Sequence, residues 1–169
     1  NNLWRGTDSV SGTGSDIQQT RIIIEELPIL FKDFDIHTML DIPCGDFNWM
    51  KTVDLTGINY VGADIVKELV EKNLAKYGDD GTQFFQLDLI KSALPKVDLI
   101  FCRDCLVHLS NNDIFGALEN MCKSESTYVL TTVFPERLNN DDIETGEWRV
   151  LNLEHAPFFL PAPLKVINE

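Results

Sequence analysis

The chain has 169 residues, 44% of them hydrophobic, and carries 27 acidic against 14 basic side chains, for a net charge of −13. That length suits one domain with a proper core. The charge argues against nucleic acid and against an anionic membrane surface, since both call for clustered Lys and Arg, and no run of residues has the apolar length to span a bilayer.

Residues 1–15 are polar and Gly/Ser-rich with Trp4 and Arg5 embedded, and read as an arm or lid. Ser15 or Asp16 is placed to N-cap a helix reaching about Phe34. Its stripe is Ile17, Ile24, Leu27, Leu30, Phe31 and Phe34, and Pro28 should kink or divide it. Strands are expected at about 38–43, 59–65, 82–89, 97–103 and 127–134. Further helices are expected near 46–53, 66–77 and 111–123. The continuously apolar runs Val97–Cys102 and Tyr128–Phe134 suit a parallel sheet covered on both faces. This alternation predicts a doubly wound, mostly parallel α/β sheet with right-handed crossovers. Residues 135–163 read as a loop region. Leu164–Asn168 is the candidate sixth strand, nothing remains for a last edge strand, and a bare edge invites pairing with a second copy.

Cys44, Cys102, Cys105 and Cys122 read as free thiols in a reducing cytoplasm. Cys102 and Cys105 have the spacing of a zinc knuckle, but no second pair lies at a useful distance, so no metal is expected. No basic segment with a following apolar core opens the sequence, which also fits the cytoplasm.

The most informative stretch is Met39-Leu-Asp41-Ile-Pro43-Cys44-Gly45-Asp46-Phe47, an apolar run that ends in an acid and a tight turn. The next two strand-like runs end in Asp64 and Asp88, 23 and 24 residues further on, about one β-α repeat each. Taken singly, Asp64 and Asp88 suit helix capping. Taken in order at successive strand ends, the three acids point into the crevice where open α/β sheets bind ligands.

On these residues, over about 16–134, the chain resembles the class I S-adenosylmethionine-dependent methyltransferases, in their bacterial small-molecule or glycan-type subgroup. Their loop reads acid-x-Gly-x-Gly-x-Gly; here only Gly45 is kept, and Pro43 and Phe47 stand where glycines are usual. The resemblance implies a Rossmann-like fold and S-adenosylmethionine as cofactor, with S-adenosylhomocysteine as product. It puts Asp41 and the Cys44–Gly45 amides near the methionine part, Asp64 on the ribose hydroxyls, and Asp88 on the adenine amino group. It puts Ile65 and Leu89 against the ring, the Cys102–Arg103 backbone near the sulfonium, and the 135–163 loop region on the substrate side. A dinucleotide is the rival cofactor. Its fingerprint needs Gly-x-Gly-x-x-Gly, and Asp46 would repel a pyrophosphate. An NAD(P)-dependent oxidoreductase and a non-catalytic binding protein of the same fold are the alternatives; no Tyr-x-x-x-Lys pair supports the former.

His108, in the hydrophobic-His-Leu stretch after the fourth strand, is the candidate general base, with Asp104 to orient it or bind substrate. A purely structural His is the competing reading, because methyl transfer gains much from alignment alone. Trp4, Arg5 and Ser11–Ser15 before the first helix suit an anion, either the cofactor carboxylate or a phosphate, against a plain flexible arm. Trp148 with Glu147 and Arg149, followed by His155, suits the wall and polar handles of a sugar site, against a surface loop pinned by aromatics. The expected activity is methyl transfer to a hydroxyl of a sugar or secondary metabolite.

Overall fold

A computed structural model describes residues 9–169; Trp4 and Arg5 lie outside the described residues. Strand β1 (Thr38–Asp41) sits at the centre of a five-stranded sheet. It is flanked by β2 (Asn59–Asp64) and then β3 (Thr82–Gln86) on one side, and by β4 (Leu99–Cys102) and then β5 (Tyr128–Thr131) on the other. All four pairings are parallel, with Asp41 opposite Gly62 and Phe101. The chain reverses its direction of travel across the sheet at β1 and β4, so the crevice opens at their carboxyl ends. The doubly wound parallel reading holds.

One face carries α1 (Arg21–Asp33), the segment around Trp49 and Met50, and α2 (Lys67–Tyr77) over Met39, Tyr60 and Phe101. The other carries α3 (Asn111–Lys123) and Leu151, Leu153 and Phe158 over Leu40, Ala63 and Ile100. Burial on both faces explains why β4 is wholly apolar.

Three elements depart from expectation. Helix α1 starts at Arg21, because Asp16 accepts the Ser9 amide (3.3 Å) instead of capping a helix, and Ser15 closes a separate 3-10 turn, Thr13–Ser15. Pro28 stands inside α1 without dividing it; it removes one backbone bond, but Ile23, Leu27, Leu30 and Phe31 hold both halves in the core. The helix expected over 46–53 is only a 3-10 turn, Met50–Thr52. Phe47 takes φ 58°, which breaks the helical path at its start. Leu164–Asn168 forms no strand. Pro161 and Pro163 lead into it, and it lies against α1, with Lys165 3.5 Å from both Glu26 and Asp33 and Ile167 packed on the core.

Candidate functional site

The turn after β1 is where the carboxyl edge of the sheet is most closely built. Gly45 (φ 54°) and Phe47 (φ 58°) both occupy the left-handed region. Glycine does so without strain; a phenylalanine there costs about 1–3 kcal/mol. Phe47 offsets that cost by burying its ring among Tyr60, Tyr77 and Phe84, with centroids 5.1–5.2 Å apart. The residue that replaces a family glycine is thus a core residue.

Asp64 ties this turn to β2. One carboxylate oxygen accepts the Gly45 amide (3.1 Å) and the other the Val66 amide (2.9 Å). Asp64 therefore closes a turn that leads into α2 and does not cap the helix, whose N-cap is Val66 with no side-chain bond. From α2 the buried Asn73 donates to the Gly45 carbonyl (2.8 Å). Asn73 was not singled out in the sequence; its only signal is a polar residue on the apolar stripe of a helix. Asp41 is buried, and the Tyr60 hydroxyl donates to it at 2.6 Å. Burial lifts its carboxyl from 3.8 to about 7; the Tyr60 bond opposes the rise, the Asp64 charge adds to it, and Arg103 opposes it. Burial also raises Asp64, against its backbone bonds, and pushes the buried Cys44 thiol up.

Asp88 is half-buried and accepts the Ile90 amide (2.8 Å), so it too closes a turn. Ile65 is 63% exposed just past β2, whereas Leu89 is buried. The pair offers an open apolar wall on one side only.

The N-terminal arm closes over the β1 turn. Asp46 accepts the Ser9 hydroxyl (3.0 Å) and the Val10 amide (2.8 Å), and the Ser11 hydroxyl accepts the Asp46 amide (3.0 Å). A Cβ on Gly45 would lie 2.3 Å from the Ser11 hydroxyl, so only glycine admits the arm here. The anion site expected at Ser11–Ser15 does not form at a helix start, since those residues precede α1 by several positions.

At the end of β4, Asp104 has φ 51°. Its amide donates to Thr132 Oγ1 (2.9 Å), and that hydroxyl donates back to its carboxylate (3.1 Å). The other carboxylate oxygen pairs with Arg103 at 2.9 Å. Asp104 is thus engaged by Thr132 and Arg103, and a backbone carbonyl helps to orient His108. His108 Nδ1 donates to the Glu147 carbonyl at 2.8 Å, and the Gly146 amide donates to the His108 carbonyl. This hydrogen bond puts the basic lone pair of the neutral ring on Nε2.

The expected substrate residues divide. Trp148 is 59% exposed and meets Phe134 edge-on at 6.3 Å. The side chain of Glu147 accepts the Glu144 amide (3.0 Å). Arg149 is no polar handle: it is buried, and its guanidinium donates to the Leu106 and Val107 carbonyls and to Asn111. Burial lowers its pKa, and its Nε has no partner among the described residues. It pins the His108 turn to α3. His155 is half-buried in the following turn.

The sequence profile described as methyltransferase domain matches residues 40–130, from inside β1 to inside β5. The chain belongs to the methyltransferase-domain family. Solved structures share the fold of this methyltransferase domain. Human N-acetylserotonin methyltransferase, in complex with SAM, aligns with TM-score 0.59 at 15% identity, over 80% of this chain and 45% of that one. The PH0226 protein of Pyrococcus horikoshii aligns with TM-score 0.56 at 21% identity, over 70% and 61%. DhpI, in complex with SAH, aligns with TM-score 0.58 at 16% identity, over 82% and 72%. The chain spans less than two thirds of the first two. No curated protein matches its sequence.

Proposed function

We propose that this methyltransferase domain moves a methyl group from S-adenosylmethionine to a hydroxyl of a small polar acceptor, such as a sugar or secondary metabolite. The observation that carries the reading is Asp64, which ends β2 in the crevice while it holds the Gly45 amide of the β1 turn. The donor set suits the cofactor. Asp46 and Asp64, carboxylates along this edge with no cationic partner among the described residues, favour a ligand with a sulfonium and an ammonium, and would repel a pyrophosphate. When bound, that cofactor supplies a methyl group on positive sulfur. Asp64 would accept the ribose hydroxyls, Asp88 the adenine amino group, and Ile65 with Leu89 would face the ring. The Cys44–Gly45 and Cys102–Arg103 backbone would border the methionine part.

His108 serves as base through Nε2, held by the Glu147 carbonyl, and takes the acceptor's proton as the oxygen attacks. Trp148 and the 135–163 region form the acceptor side, and the arm forms a lid. The outer edge of β5, without a strand partner among the described residues, supports pairing of two copies.

Calorimetric titration with S-adenosylhomocysteine, NAD and NADP tests the reading. About micromolar binding of the first alone is expected. Asp64→Ala should weaken it about ten- to a hundredfold through lost charge-assisted hydrogen bonds. Unchanged affinity, in a variant that still melts cooperatively, overturns the ribose role; binding of NAD instead favours an oxidoreductase.

A further inference from the structure

Arg103 follows β4 directly, and its side chain is only 11% exposed. Its guanidinium lies 5.7 Å from the Trp49 ring, itself buried and edge-on to Phe101 at 5.9 Å. That backing fixes the plane of the cation. Two carboxylates touch it, each through one oxygen: Asp104 at Nη1 (2.9 Å) and Glu169 at Nε (2.8 Å). A guanidinium offers five N–H donors and binds a carboxylate best through two parallel bonds. Neither contact uses that mode, so the strongest grip of this group is left unmade.

The Glu169 carboxylate arrives on a segment with anchors of its own, namely Lys165 on Glu26 and Asp33, and Ile167 in the core. It is 26% exposed at its side chain. It is thus a tethered carboxylate resting on a cation at the mouth of the crevice, removable without disturbing its tether.

We infer that Arg103 is a carboxylate anchor, with Glu169 as its resident stand-in, and that the acceptor taken by this crevice carries a carboxyl group. The inference rests on the methyltransferase reading for the use of the crevice. An incoming carboxylate displaces Glu169 and gains the two-oxygen geometry, so net charge around Arg103 stays the same. Asp104 stays on Nη1 and keeps the cation in place. Until displacement, the tethered group competes as an intramolecular ligand at about millimolar effective concentration.

The test follows the Arg103 Nε–H signal by nitrogen–proton NMR in protein saturated with S-adenosylhomocysteine, while acetate, acetamide or inorganic phosphate is added. Acetate should shift the signal saturably, and Glu169→Ala should tighten that response about tenfold as the tethered competitor goes. Glu169→Ala should melt like the parent, since Lys165 and Ile167 still hold the segment. Acetamide should leave the signal in place. No saturable acetate response in either protein, or equal affinity in both, overturns the anchor; a tighter response to phosphate overturns the carboxylate assignment. Binding of S-adenosylhomocysteine, measured on the same samples, separates the two ideas: if it binds and Arg103 is silent, only the anchor falls.

Discussion

Asp41 illustrates what a single side chain contributes. Its place at the end of β1 suits a ligand acid, and its surroundings add a second consequence. Its carboxyl is lifted from 3.8 to about 7, chiefly by burial. Between those values the folded chain keeps a proton that the unfolded chain has released, so stability is full below about pH 4 and is lost as pH rises towards about 7. The raised Asp64 adjusts stability with the same sign. Asp41→Asn keeps the shape and an acceptor for Tyr60 and removes one titration. Its melting temperature should therefore gain on the parent as pH rises through that window. A constant difference across thermal melts would show that Asp41 titrates normally. Asp41, Asp64 and Asp88 were legible because an acid ending an apolar run is a one-dimensional signal. Tyr60, Asn73 and Thr132 were not, because each acts on a residue far away in the chain. Arg149 misled because burial is a property of the packed state.

Among the elements, the arm carries the clearest test. Asp46 is the common acceptor for the Ser9 hydroxyl and the Val10 and Asn48 amides. Asp46→Ala should release the arm and speed hydrogen exchange at Val10 and Ser11 about tenfold or more, while amides of α3 keep their protection. Equal acceleration in both places would mean global destabilisation instead. The strands and α2 and α3 were legible because hydrophobic runs and stripes are local. The element at 46–53 was not: its apolar spacing, Phe47, Trp49, Met50 and Val53, is that of a helix, and all four are buried. Their burial is achieved by a turn forced by the left-handed Phe47. The C-terminal segment failed for the complementary reason, as β-like composition after two prolines found side-chain partners on α1 before it found a strand.

For the molecule as a whole, charge is the dominant feature. With 27 acids against 14 bases, the folded chain repels itself more than the expanded one does. Raising salt from about 0.01 to about 0.5 M shortens the screening length from roughly 30 Å to a few ångströms. The thermal midpoint should climb by a few degrees over that range. A fall, read by calorimetry, would mean that the surface ion pairs outweigh the repulsion. The topology was legible from repeat spacing alone, since parallel strands need crossovers and crossovers have one hand. The edges were not, because nothing in a strand's own residues says whether a neighbour exists.

The arm touches both banks of the crevice. Ser11 rests on Gly45 beyond β1, and a Cβ on Gly14 would lie 3.1 Å from the Asp104 carboxylate beyond β4. A bridge of this kind turns access into a matter of timing. Whatever lies beneath it leaves only as often as the bridge lifts, so crowding the solution with more ligand cannot hasten the exchange past that frequency.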